Sequence, residues 1–304
     1  MNSSQSADLM NGSGKIFVLV HGAGQGAWAF GKVAWPLTRA GHQVVARDLP
    51  GHGLRARFPR SYLERPTDPD RFATEPSPLA QLTAQDYADE VTATISQLAE
   101  QMPGRQIVLA GHSFAGLTLS RVGEAIPQLI SRLVYISAVM PAPGKSFFDY
   151  AALPEAAASK IPSIGIGDPQ VTGALRIDFH SADPRYRAEI KAAIAADVDD
   201  QEWQAVTSLL SPDVPAGWVA EPVTTTAGRW GAIPRTYISC TADFTIPVAE
   251  QRLFIDEADK LTPANPTDEL DCVVELVIAR SIAQLGSLRE AAGAGSLTGV
   301  TSAT

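Results

Sequence analysis

Two cysteines, Cys240 and Cys272, are all the thiols in this chain of 304 residues. That number builds neither a disulfide framework nor a zinc cluster, and it suits a reducing, cytoplasmic setting. Basic side chains are also short, with 24 Lys and Arg against 33 Asp and Glu, a formal net charge of −9 and a pI near 5.1. A nucleic acid or an anionic membrane surface would require a positive face, so neither is expected as a partner. No stretch approaches the ~18 uninterrupted apolar residues of a membrane-spanning helix. Residues 1–14 lack the basic start and apolar core of a signal peptide and read as a disordered tail. Histidine is scarce too. His21, His42, His52, His112 and His180 are the five copies, and none lies after Asp243.

What is present is a globular composition, 45% hydrophobic and 19% charged, on a chain long enough for a full core. Lys15-Ile16-Phe17-Val18-Leu19-Val20 is a nearly continuous apolar run that ends at a glycine-rich loop. Similar runs recur at 43–46, 106–110, 133–136 and 236–240. Such runs read as parallel strands buried on both faces. Helical patterns lie between them. The clearest starts at Thr83, an N-cap with Asp86 three residues on, and continues with Tyr87, Val91, Ile95 and Leu98 at helical spacing. The alternation predicts an α/β fold with a doubly wound, mostly parallel sheet.

Two stretches interrupt it. Residues 54–82, rich in Arg, Pro and Asp, read as an excursion loop. Residues 141–231 carry helical patterns, including 184–196 and 201–210, and few strand signals. They are expected to form a helical cap inserted between two parts of the core, 15–140 and 232–285. Residues 286–304 are rich in Gly, Ser, Ala and Thr and read as a loose tail. Nothing in the sequence encodes an oligomeric state.

Four motifs carry candidate chemistry. Gly111-His112-Ser113-Phe114-Ala115-Gly116 follows a predicted strand and precedes a predicted helix, as a nucleophile elbow requires. Small residues at 111 and 115 spare the tight turn from clashes, and Ser113 then sits at a helix N-terminus that favours developing negative charge. His21-Gly22-Ala23-Gly24-Gln25-Gly26-Ala27-Trp28 follows the first strand. It lacks both the G-x-G-x-x-G spacing and the lysine of a phosphate loop. It reads as an oxyanion-hole loop in which the backbone N–H of Ala23 pairs with that of Phe114. His21 is expected to shape this turn rather than act as a base. Asp48-Leu49-Pro50-Gly51-His52-Gly53 reads as a tight turn at the sheet edge. Finally, Asp243 stands just past a late strand, where the acid of a Ser…Asp…His order belongs. Trp28, Trp203 and Trp218 are candidate pocket aromatics, although plain packing explains such residues as well. Cys240 reads as a small buried hydrophobe.

Together FVLVHGAGQGAW, the DLPGHG turn, GHSFAG and YISCTAD-F-T-IP resemble the α/β-hydrolase superfamily. They are similar in particular to the branch of plant methyl esterases, hydroxynitrile lyases and bacterial pyrethroid-hydrolase-like esterases. The likeness spans roughly residues 15–271. It implies a cofactor-free, metal-free carboxylic-ester hydrolase acting on a small or medium hydrophobic ester. Ser113 would be the nucleophile, Asp243 the triad acid, and Ala23 and Phe114 the oxyanion donors. Hydroxynitrile lyases usually carry Thr directly after the histidine of the oxyanion loop. Gly22 stands there here, which leans towards ester hydrolysis.

The resemblance also implies a histidine after the last strand, as base to the serine, and this chain has none there. Three readings compete. The base is absent and the protein is impaired, or holds a small ligand on a dead hydrolase fold. Another group, Glu275 or His180, substitutes. Or the carboxyl-terminal stretch is frame-shifted, a hypothesis motivated by one legal codon choice for residues 277–285. Read two bases later, that choice spells His-Arg-Pro-Phe-His-Arg-Pro-Ala. The bases of the gene decide the third reading, which fails if they hold no shifted histidine codon there.

Overall fold

The structure, a computed structural model, describes residues 14–272. Residues 1–13 of the expected amino-terminal tail and everything after Cys272, including Glu275 and the expected carboxyl-terminal tail, lie outside the described residues. Eight strands are described: β1 Ile16–Val20, β2 Gln43–Ala46, β3 Ile107–Ser113, β4 Arg132–Ala138, β5 Ala174–Arg176, β6 Asp213–Pro215, β7 Arg235–Cys240 and β8 Asp268–Cys272. Six of them form one sheet in the order β2-β1-β3-β4-β7-β8, with every neighbouring pair parallel. The register aligns Val18 with Val45 on one side and with Leu109 on the other. β1, β3, β4 and β7 lie inside this sheet and are buried along nearly their whole length. That is why their sequences read as continuous apolar runs.

The principal helices are α1 Gly31–Arg39, α2 Ala84–Gln101, α3 Ala115–Ala125, α4 Pro184–Ile194, α5 Asp200–Thr207, α6 Ala216–Ala220 and α7 Val248–Leu261. The expected cap at the start of α2 is present in both directions. Asp86 N–H donates to Thr83 Oγ1 at 3.2 Å, and Thr83 N–H donates to Asp86 Oδ2 at 2.8 Å. Tyr87, Val91, Ile95 and Leu98 face inward. They join Leu109, Leu119 and Tyr135 in the cluster on one face of the sheet. On the other face Val33 and Leu37 of α1 meet Leu19, Val108 and Ile136. The sheet is therefore wound on both sides. Cys240 is fully buried in β7, in register with Cys272 of β8.

Two parts of the chain differ from the expectation. Residues 54–82 contain short helices at Arg60–Leu63 and Pro69–Thr74 rather than loop throughout. Between β4 and β7 the chain forms short helices, but β5 and β6 also pair there as a small antiparallel sheet. Three-residue strands are too short to show a period in the sequence. A buried ion pair joins them: Arg176 Nε and Nη2 donate to the two carboxylate oxygens of Asp213 at 2.7 and 2.8 Å, with neither side chain exposed. Arg176 Nη1 donates to the carbonyl oxygens of Phe72 and Glu75. One guanidinium thus ties the 54–82 segment to the β5–β6 pair.

Trp218 on α6 belongs to the main core. It stacks on Tyr87 with ring centroids 4.3 Å apart, and its Nε1 donates to Thr118 Oγ1 at 3.1 Å. Asp213→Ala leaves the Arg176 charge buried without its carboxylate. It is expected to cost about 3–5 kcal/mol, read as a lower urea midpoint at unchanged m-value. A midpoint within error of the parent would refute this account of the pair.

Candidate active site

The site is built where β3 turns into α3. Ser113 ends the strand with φ +56°, a left-handed backbone rare for a residue with a side chain and costly by roughly 1–3 kcal/mol. Glycines on both sides permit the turn. A Cβ on Gly111 would lie 2.9 Å from the Ala115 Cβ and 2.6 Å from Leu119. One on Gly116 would lie 2.1 Å from the Val139 carbonyl oxygen. Val139 N–H in turn donates to the Ser113 carbonyl at 3.1 Å. The strain is held by packing, and it presents the serine hydroxyl just ahead of the N-terminus of the eleven-residue α3.

The loop after β1 comes close to the serine. A Cβ on Gly22 would meet the Ser113 Cβ at 2.9 Å and the His112 carbonyl oxygen at 3.0 Å, so only glycine fits. Gln25 clasps the two loops together. Its Oε1 accepts from Gly22 N–H at 3.0 Å and lies 3.4 Å from His112 Nδ1. His21 fixes the base of the loop: its Nε2 accepts from Leu49 N–H at 3.0 Å. Nδ1 therefore carries the proton and donates to the Gly22 carbonyl at 2.9 Å. Asp48 accepts from Ala27 N–H at 2.7 Å and from Leu54 N–H at 2.9 Å. The 48–53 turn is thus the brace of the loop that carries Ala23. Gln25 and Asp48 lie inside motifs that the sequence shows, but the sequence gives no sign of their bracing contacts, which join distant segments.

Two adjoining cavities, of about 280 and 90 Å³, open beside these loops. Ala23 and Phe114 line both, and Ser113 lines the smaller. Most of the walls are apolar, with Phe147, Ile161, Ile177 and Phe179 shared between the two. Trp203 lines the smaller cavity. Trp28 does not line either and packs beside Ala29, Phe179 and Leu210.

Asp243 sits past the end of β7, 94% buried. Oδ1 accepts from Thr245 N–H and Thr245 Oγ1, both at 2.6 Å, and from Ile246 N–H at 3.1 Å. Oδ2 accepts from the Ser137 hydroxyl. Burial pushes its pKa up against the pull of these hydrogen bonds. Gln251 of α7 steadies the loop, donating from Nε2 to the carbonyls of Cys240 at 2.9 Å and Ile246 at 2.7 Å.

All five histidines are described, and none hydrogen-bonds Ser113 or Asp243. His180 is exposed and stacks on Tyr62, with centroids 5.0 Å apart, away from both cavities. Burial holds His21 down to about 4, His52 to about 3 and His112 to about 4, so all three are neutral at pH 7. Among the described residues no group of three or more His, Cys, Asp or Glu could hold a metal ion, and no helix is long and apolar enough to cross a membrane.

The model of the alpha/beta hydrolase family matches residues 17–296. The chain belongs to that family. Among the relatives of this alpha/beta hydrolase is polyneuridine aldehyde esterase of Rauvolfia serpentina, 28% identical over 84% of this chain and 89% of its own length. Methylesterase 2 of Arabidopsis thaliana is 36% identical over 41% of this chain and 40% of its own. Among solved structures, a pyrethroid hydrolase from Sphingobium faniae superposes with a TM-score of 0.71 at 20% identity, covering 92% of this chain and 98% of that one. The resemblance seen in the sequence is thereby established at the level of fold and family.

The neutral histidines make stability depend on pH. Their folded pKa values lie below the unfolded value of about 6.5, so the unfolded chain binds more protons between about pH 4 and 6.5. Stability is full above that window and falls as pH drops through it. Glu250, raised to about 7 by burial, and Asp243, also pushed up by burial, work the opposite way but contribute at most one proton each. A net loss on the order of 1–3 kcal/mol per pH unit is expected near pH 5. Urea unfolding at about pH 7 and pH 5 reads it, and equal midpoints would contradict the neutral burial of these rings.

Proposed function

We propose that this alpha/beta hydrolase is a carboxylic-ester hydrolase for a small or medium hydrophobic ester, working through Ser113. The observation that carries the reading is the strained Ser113 on the wall of an apolar cavity it shares with Ala23 and Phe114. The esterases among its relatives support it. Ser113 Oγ bonds to the acyl carbon as its proton passes to water. The oxyanion lies on the Ala23 and Phe114 N–H groups, which cost no reorganisation when charge develops. The C–O bond to the alcohol breaks, the alcohol leaves with a proton, and water then frees the acid from the acyl-enzyme. Residues 141–231 act as a cap that supplies the apolar walls. No cofactor takes part, and the buried thiols suit a cytoplasmic setting.

Without an imidazole the serine hydroxyl is a weak nucleophile. Turnover is expected at the level left by oxyanion hole and binding alone, roughly 10³–10⁴-fold over water. Ser113→Ala is expected to abolish fluorophosphonate labelling while leaving that residual hydrolysis of p-nitrophenyl esters in place. Added imidazole should speed the parent protein and not the variant. Labelling that survives Ser113→Ala would refute the assignment of the nucleophile.

The apolar walls set a chain-length preference. Each buried methylene is worth about 0.8 kcal/mol, so p-nitrophenyl butyrate should exceed the acetate by roughly tenfold in kcat/KM. A butyrate no better than acetate would argue against an apolar acyl site.

One observation favours a second reading, a catalytically silent hydrolase that holds a small ligand. The Asp243 carboxylate already accepts from Ser137, Thr245 and Ile246. Folded protein that neither labels nor turns over, yet binds apolar ligands, would select this reading.

A further inference from the structure

The larger cavity holds a carboxylate that the proposed reaction leaves unused. Glu250 lies in the first turn of α7, is only 2% exposed and lines this cavity. Its Oε1 is buried without a hydrogen-bond partner, and no ion pair reaches the side chain among the described residues.

The ordinary structural role for a glutamate at this helical position is a capping box, in which the carboxylate accepts from the backbone N–H of the N-cap residue. Here the N-cap is Pro247, which has no N–H. The neighbouring charges give Glu250 no partner either. Asp243 is a second carboxylate, with its oxygens committed to other donors. Arg176, the cation on the cavity wall, spends its guanidinium on Asp213 and on two carbonyls. Lys160 sits over the Phe244 ring and donates to the Ala192 carbonyl. A buried carboxylate with no donor is costly to keep. Its pKa near 7, raised first by burial and then by Asp243, reports that unmet need.

We infer that Glu250 receives a protonated amine on the ligand, so that the cavity selects hydrophobic molecules carrying a basic nitrogen. The inference rests on reading this cavity as the substrate site. The apolar walls would take the body of such a molecule. The carboxylate would take the ammonium, in a place where water does not compete for it. A cation satisfies this site better than a neutral donor because Glu250 also feels the charge of Asp243 and the nearby cations are engaged elsewhere.

Binding separates this proposal from the hydrolase reading, because it needs no turnover. Calorimetric titration at about pH 8, where Glu250 is ionised and an alkylamine is protonated, compares 4-phenylbutylamine, 4-phenylbutanol and 4-phenylbutyrate. The amine is expected to bind at least about tenfold more tightly than the alcohol, and the carboxylate weakest. Glu250→Gln should bring amine and alcohol to within about twofold while alcohol binding persists. Ser113→Ala should keep the full preference. Glu250→Leu removes the charge without adding a polar group and provides the same comparison if the Gln variant does not fold. No binding of the amine, equal affinity for amine and alcohol, or a preference that survives in the Glu250 variants would overturn the proposal. Ser113-dependent turnover of neutral esters without any amine preference would sink this inference alone. Amine preference without turnover would spare it and sink the other.

Discussion

The constraint on which the rest depends is the close approach of two loops at Gly22 and Ser113. A single carbon added to Gly22 would meet the Ser113 Cβ at 2.9 Å. The parallel order of β1 and β3, with Val20 opposite Gly111, brings both loops out at the same edge of the sheet. This is where ligands bind in open α/β sheets. The register thus decides that Ala23 and Phe114 share a cavity with the serine. The clasp by Gln25 and the brace by Asp48 then remove the freedom that two adjacent glycine-rich loops would otherwise have.

Much of this was legible in the sequence, for physical reasons. Central parallel strands are buried on both faces, so β1, β3, β4 and β7 advertise themselves as apolar runs. The Thr83–Asp86 cap and the spacing of Tyr87, Val91, Ile95 and Leu98 specify α2 without tertiary help. The turn was readable because close packing there leaves room only for small residues at 111, 115 and 116. What escaped notice depends on contacts between distant segments. Three-residue strands such as β5 and β6 have no period to detect, and the Arg176–Asp213 pair that joins them spans 37 positions. The same holds for Trp218, which the sequence offered as a pocket aromatic and the fold spends on Tyr87 and Thr118. Glu250 gives no signal of its own in the sequence, because its missing partner shows only once Pro247 is placed at the N-cap of α7.

Polar groups in this interior are met in different ways. Arg176 is met by a carboxylate and two carbonyls. Where a ring is buried without a charge partner, as with His52 beside Tyr87 and Trp218, it is held neutral. Glu250 is left with an unmet oxygen, on the wall of the larger of the two cavities beside Ser113.

The hydrogen bond from Ser137 to Asp243 has a consequence for how this chain changes over generations. In a triad, the carboxylate is kept buried at a cost that an imidazole N–H offsets. Losing that imidazole would leave a buried, underpaired acid and a fold under pressure to replace it. With Ser137, Thr245 and Ile246 already donating, that pressure is reduced. Asp243 can remain in place without a histidine beside it, and the chain keeps its shape whatever side chain stands near that carboxylate.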